Sequence, residues 1–120
     1  MLLALFVPRA LAQAPITPPE APKLAPVAPL SIDEMIDLSA EKYDVDANIM
    51  RRIIQCESMG NPSAVGDSGR SFGVAQIFLP VHPDITKEQA LDPKWSIELM
   101  AKEFSVGHAS WWTCWRMLYE

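Results

Sequence analysis

The sequence predicts a mainly α-helical domain. Helix-start signals stand in front of apolar residues spaced three and four apart, glycines and prolines punctuate the intervals, and no stretch alternates apolar and polar residues long enough to suggest an extended strand. Length sets the scale. Of the 120 residues, about 90 remain once a proline-rich first quarter is subtracted, enough for one modest core and near the size at which a covalent cross-link is useful.

Seven of the eleven prolines fall within residues 1 to 29. Residues 1–14 open on Met-Leu-Leu-Ala-Leu-Phe-Val and close on the small-x-small pattern Ala12-Gln13-Ala14, which suggests a signal peptide cut after Ala14. No basic residue precedes the apolar run, and Arg9 interrupts it; the alternative is a disordered N-terminus. Residues 15–29, with prolines at 15, 18, 19, 22, 26 and 29, lack amide donors at those positions and prefer extended conformations, so they read as a semi-rigid linker. Residues 30–120 are expected to form the domain.

From Ser31 the pattern changes. Ser31 and Glu34 make a Ser-x-x-Glu capping box ahead of Ile32, Met35, Ile36 and Leu38, predicting a helix of about a dozen residues that ends near Tyr43. Asp46 is the expected N-cap of a second helix with the apolar face Ile49, Met50, Ile53 and Ile54. Gly60, Asn61-Pro62, Gly66, Gly69 and Gly73 then break the chain, so residues 60–75 are expected to form a loop or a short hairpin. Thr86 and Gln89 make a second capping box for a short helix ending at Asp92-Pro93. That pair suits the N-cap and first position of a fourth helix, which carries Trp95, Leu99, Met100 and Phe104 and stops at Gly107. Ser110 is expected to cap a last short helix holding Trp111, Trp112, Cys114, Trp115 and Leu118.

The formal charge is −5; Arg9, Lys23 and Glu20 leave +1 before residue 30, so the domain carries −6. This argues against nucleic acid as a partner. No apolar run reaches the roughly 18 residues of a membrane-spanning helix. His82 and His108 have no second ligand at metal spacing and the cysteines are not in a Cys-x-x-Cys pair, so neither a metal nor another cofactor is expected.

Glu57 breaks the pattern of its helix. It continues the apolar face where a carboxylate should not sit, and it lies at the C-terminal end, where the helix dipole is negative. Desolvation and the dipole both oppose ionisation, so its pKa is expected to rise toward that of a general acid. The alternative is a carboxylate at a frayed helix end that points into water.

The surrounding residues separate these readings. Glu57-Ser58-Met59-Gly60-Asn61-Pro62-Ser63-Ala64-Val65, then Ser71-Phe72-Gly73-Val74-Ala75-Gln76-Ile77, then Leu91-Asp92-Pro93 followed by Ile97, resemble the soluble lytic transglycosylases. That family is marked by Glu-Ser, Gly-Asn-Pro, Gly-Leu-Met-Gln and Leu-Asp-Pro-x-x-Asn-Ile. The resemblance covers about residues 33 to 115. It implies a lysozyme-like helical domain with a Gly-rich loop or short hairpin after the catalytic helix, acting on peptidoglycan glycan strands. Glu57 would protonate the glycosidic oxygen between N-acetylmuramic acid and N-acetylglucosamine. The same residue would then deprotonate the muramic C6 hydroxyl as it closes onto C1, leaving a 1,6-anhydro end. One carboxylate suffices for this, whereas ordinary glycosidases use two; the one other acid near Glu57 in sequence is Asp67.

By the same resemblance Gln76 would hydrogen-bond a sugar, Phe78 occupies the place of a groove-lining Met, and Gly73 allows close backbone approach. The expected substrate-binding set is Ser58, Gly66, Ser71, Gly73, Gln76, Phe78, Ser96 and Trp115. Several positions depart from the family. Gly66 stands where relatives often have Ser, one extra residue precedes Gly73, and Ser96 replaces the Asn of Asn-Ile. The Ala-Tyr-Asn motif is absent, with Trp115 taken as a substitute for its Tyr. Tryptophans 111, 112 and 115 could stack on sugars, but such density near a chain end more often marks a core or a lid.

Two other readings stand beside this one, and a third fails. A non-catalytic peptidoglycan-binding module would keep the fold and lose turnover; a lysozyme-type hydrolase would keep cleavage and use water. Gly66-Asp67-Ser68-Gly69 matches the nucleophile loop of trypsin-like proteases, but Arg70 follows it, both histidines come after Ser68, and the chain is helical. Cys56 and Cys114 are expected to pair, because an exported chain with two cysteines seldom leaves reactive thiols; the alternative is two buried thiols. A monomer at the cell wall, periplasmic or extracellular, is expected.

Overall fold

The computed structural model of the chain describes residues 18–19 and 28–120. The signal peptide expected over residues 1–14 and most of the linker expected over 15–29 lie outside the described residues. Five α-helices and a small three-stranded sheet follow, the mainly helical architecture that the sequence predicts.

Helix α1 (Ile32–Tyr43) starts where Ser31 accepts a hydrogen bond from the Glu34 N–H, its hydroxyl in turn donating to the Glu34 carboxylate. It ends in a left-handed turn at Asp44 (φ 53°): the Asp44 N–H bonds to Glu41 O at 3.3 Å and the Val45 N–H to Ala40 O at 3.0 Å. This pair of bonds satisfies two carbonyls that the helix itself cannot. Helix α2 (Ala47–Ser58) is capped by Asp46, which accepts from the amides of Asn48 and Ile49. Its buried face is Met50, Ile53, Ile54 and Ser58.

Three two-residue strands, β1 (Val65–Gly66), β2 (Ser71–Phe72) and β3 (Ile77–Phe78), pair antiparallel in sequence order with Val65 opposite Phe72 and Phe72 opposite Ile77. The expected loop or hairpin is thus a hairpin extended by one strand. Strands of two residues are too short to display an alternation, and both residues of β2 are buried, so periodicity could not reveal them.

Helix α3 (Lys87–Leu91) carries the complete Thr86–Gln89 capping box, and α4 (Pro93–Ser105) begins at Asp92 with Pro93 in its first turn. At the end of α4, Gly107 (φ 86°) donates to Phe104 O and His108 to Glu103 O, the same closing motif as on α1. The last helix departs from expectation. Ser110 lies inside a 3-10 turn, Ala109–Trp111, and α5 (Thr113–Tyr119) starts at Trp112, which gives no side-chain cap. Packing decides this: Trp112 is buried, edge-on to Phe104, with its indole N–H donating to Ala75 O at 2.8 Å. That anchor fixes where the chain turns helical, overriding the preference for serine as a cap.

The core gathers Ile36 from α1, Met50, Ile53 and Ile54 from α2, Val74 from the sheet region, and Ile97 and Met100 from α4. A disulfide between Cys56 and Cys114, separated by 58 positions, ties α2 to α5.

Candidate active site

Glu57 is the penultimate residue of α2, four after Ile53 and three after Ile54, and so lies beside the helix face that those residues bury. The side chain is half-buried. The helix stops one residue later because Met59 turns left-handed (φ 55°) and Gly60 follows at φ 73°.

Glu57 Oε1 accepts a hydrogen bond at 3.0 Å from the backbone N–H of Cys114, the second residue of α5. First-turn amides have no partner inside their own helix, and the local N-cap offers none. Glu57 supplies the cap from 57 positions upstream, and the neighbouring Cys56–Cys114 bridge holds the two helix ends together.

Burial is the largest influence on the Glu57 carboxyl and raises its pKa above the usual 4.5. The Cys114 amide opposes this by bonding the anion, the negative charge of Asp67 raises it further, and Arg116 lowers it. The net direction is upward, as the sequence predicts, so Glu57 keeps its proton to higher pH than a surface glutamate does.

The carboxyl faces a cavity of about 860 Å³ whose lining includes Asp67, Arg70, Gln76, Phe78, Trp111 and Arg116. Asp67 and Ser68 form the hairpin turn between β1 and β2, both with positive φ (48° and 57°), and the Gly69 N–H closes it on Gly66 O at 3.0 Å. The protease-like Gly66-Asp67-Ser68-Gly69 therefore forms part of the four-residue hairpin connection between Gly66 and its strand partner Ser71. The Asp67 carboxylate accepts a hydrogen bond from the Ser71 hydroxyl. Arg70 lies over the Phe78 ring, 5.2 Å from its centroid.

Of the residues expected to bind substrate, Gln76 and Phe78 line the cavity with Glu57. The Gln76 amide nitrogen donates to Ala64 O (3.1 Å) and Gly73 O (2.9 Å), bracing the loop. The others lie off the cavity lining. Ser58 is buried and donates to Val74 O at 2.7 Å; Ser71 and Ser96 are fully buried. Gly66 leaves its side-chain space to Gln76: a Cβ there would sit 2.3 Å from Gln76 Oε1 and would require that amide to move. Gly73 does allow a close backbone approach, but to α3: a Cβ would meet Ala90 O at 2.0 Å. Trp115 packs against the core beside Tyr119. The tryptophans on the cavity are Trp111, which is 52% exposed, and Trp112, which is 7% exposed. The sequence offers both as sugar-stacking residues but favours a core or a lid, and it does not place Arg70 and Arg116 at the site, because composition alone could not separate cleft from core. Among the described residues no group of three His, Cys, Asp or Glu side chains is placed to hold a metal ion.

A helical domain with a half-buried glutamate at a helix end, bordered by a short sheet and a cleft, defines a class that comparison makes explicit. The family model for the transglycosylase SLT domain matches residues 34–114, about two thirds of the chain. The chain belongs to this family. No solved structure matches it.

Proposed function

We propose that this domain cleaves the β-1,4 bond between N-acetylmuramic acid and N-acetylglucosamine in peptidoglycan, with Glu57 as catalytic acid and base. The observation that carries the reading is the half-buried Glu57 carboxyl, its pKa raised by burial, facing the cavity. Glu57 passes its proton to the glycosidic oxygen as the C1–O bond breaks. Its carboxylate then takes the C6 hydroxyl proton while O6 bonds to C1. The 1,6-anhydro ring forms, the acid is regenerated, and no water is consumed. Export to the cell wall fits this substrate and the disulfide, since such bridges persist in oxidising compartments.

A second reading is hydrolysis, favoured by Asp67: it lines the same cavity and its charge acts on Glu57. Purified sacculi digested with the enzyme separate the two by mass, because anhydro and reducing ends differ by one water. The expected products are anhydro-muropeptides. Mainly reducing ends, abolished by Asp67→Asn, would favour the hydrolase. Glu57→Gln, which keeps an oxygen for the Cys114 amide and loses the transferable proton, should lower release by at least about a hundredfold. Release at the parent rate would refute the role of Glu57. Binding of sacculi without any release by the parent would instead indicate a non-catalytic wall-binding module.

A further inference from the structure

The tryptophan exposed on the cavity is held in place by a device that the catalytic reading does not use. Trp111 is the bulkiest of the exposed apolar residues described, in a fold that buries or half-buries its other tryptophans. Its backbone is fixed on both sides: the Trp111 N–H donates to His108 O at 3.0 Å, and the next residue is the buried Trp112. Its ring is fixed too. The His108 imidazole stacks on it with centroids 4.1 Å apart and planes 11° from parallel. His108 is itself set by Glu103, whose backbone O accepts from the His108 N–H at 2.9 Å and whose Oε2 accepts from Nδ1 at 2.6 Å. The left-handed Gly107 is what turns the chain back for both bonds.

An indole has two faces. One is covered by the His108 imidazole, the His82 ring lies tilted with its centroid 5.9 Å away, and half of the residue's surface stays open beside the cavity that Glu57 also lines. A flat, preorganised aromatic with a negative π-face suits the C–H face of a pyranose ring, whose hydrogens carry partial positive charge. Because the ring is already held, little side-chain freedom remains to be lost on binding.

We propose that Trp111 is a stacking subsite for an N-acetylhexosamine ring of the glycan, with His108 as a positioning residue acting through it. The proposal rests on the glycan-cleaving reading for its ligand class, and is tested apart from cleavage. The probe is the β-1,4-linked N-acetylglucosamine hexamer, titrated by calorimetry into protein carrying Glu57→Gln so that nothing is turned over. Adding Trp111→Ala should weaken binding by about tenfold or more with the circular dichroism spectrum unchanged. His108→Ala should weaken it by a few-fold, and His108→Phe, which keeps a ring for stacking, should restore it to within about twofold. Unchanged affinity in Trp111→Ala, or no binding by the Glu57→Gln protein, overturns the subsite. Equal losses in His108→Ala and His108→Phe overturn the positioning role. Sacculus digestion by the parent chain decides the cleavage reading independently of either result.

Discussion

Replacing Cys56 and Cys114 with Ala removes the cross-link between the end of α2 and the start of α5. The bridge joins positions 58 apart, and a loop of that length removes on the order of 4 kcal/mol of chain entropy from the unfolded state. For a domain of about 90 residues each kcal/mol moves Tm by roughly 4–8 °C, so the double variant should melt on the order of 20 °C lower. The loss should reach the active site as well. Helix α5 has no cap of its own, and its Cys114 N–H bonds Glu57 across the junction that the disulfide holds. Fraying there removes the hydrogen bond that favours the Glu57 anion. Calorimetric melting of the oxidised parent, the parent with reductant and the double variant measures the first effect, and sacculus digestion well below Tm measures the second. A Tm change below about 5 °C, or two thiols alkylated in the unreduced parent, would refute the reasoning.

If Glu57 is the proposed catalytic acid, activity should fall as pH rises through its raised pKa, because the acid must be protonated to act. Asp67→Asn removes a charge that raises this pKa and should move the alkaline limb of kcat/KM to lower pH; Arg116→Ala should move it to higher pH. Opposite shifts would mean that another group sets the limb. The same pKa governs stability: raised on folding, it contributes most below the usual 4.5 and that contribution is lost as pH rises through the folded value. Glu57→Gln should therefore be no less stable than the parent at neutral pH, as urea unfolding would test. Gly73→Ala would place a Cβ 2.0 Å from Ala90 O at φ 81°, and should cost about 3 kcal/mol by the same assay; a change under about 0.5 kcal/mol would show that the loop and α3 separate freely. Ser68→Gly, at a turn position of φ 57°, should leave cell-wall cleavage intact, and its complete loss would revive a serine nucleophile.

The helices were legible because their signals are local. Ser31, Asp46, Thr86 and Asp92 cap within three residues of themselves, and Gly107 reports a turn that its own backbone makes. Glu57 stood out for a related reason, a charge on an apolar face, and the family motifs around it set its neighbours in order. The start of α5 was not legible, since the Trp112 anchor on Ala75 lies 37 positions away. Nor was the division of labour among the tryptophans: Trp111 stands exposed at the cavity, Trp112 is buried between the cavity and the core, and Trp115 packs behind, although all three sit in one short run. Of the serines expected at the substrate, Ser58 donates to the carbonyl of the buried Val74 and Ser71 to the exposed Asp67 carboxylate, partners that spacing alone does not reveal. Spacing along one chain fixes which residues share a helix face. Which of them meet water, a sugar or each other depends on contacts between distant segments, and those exist only once the core has closed.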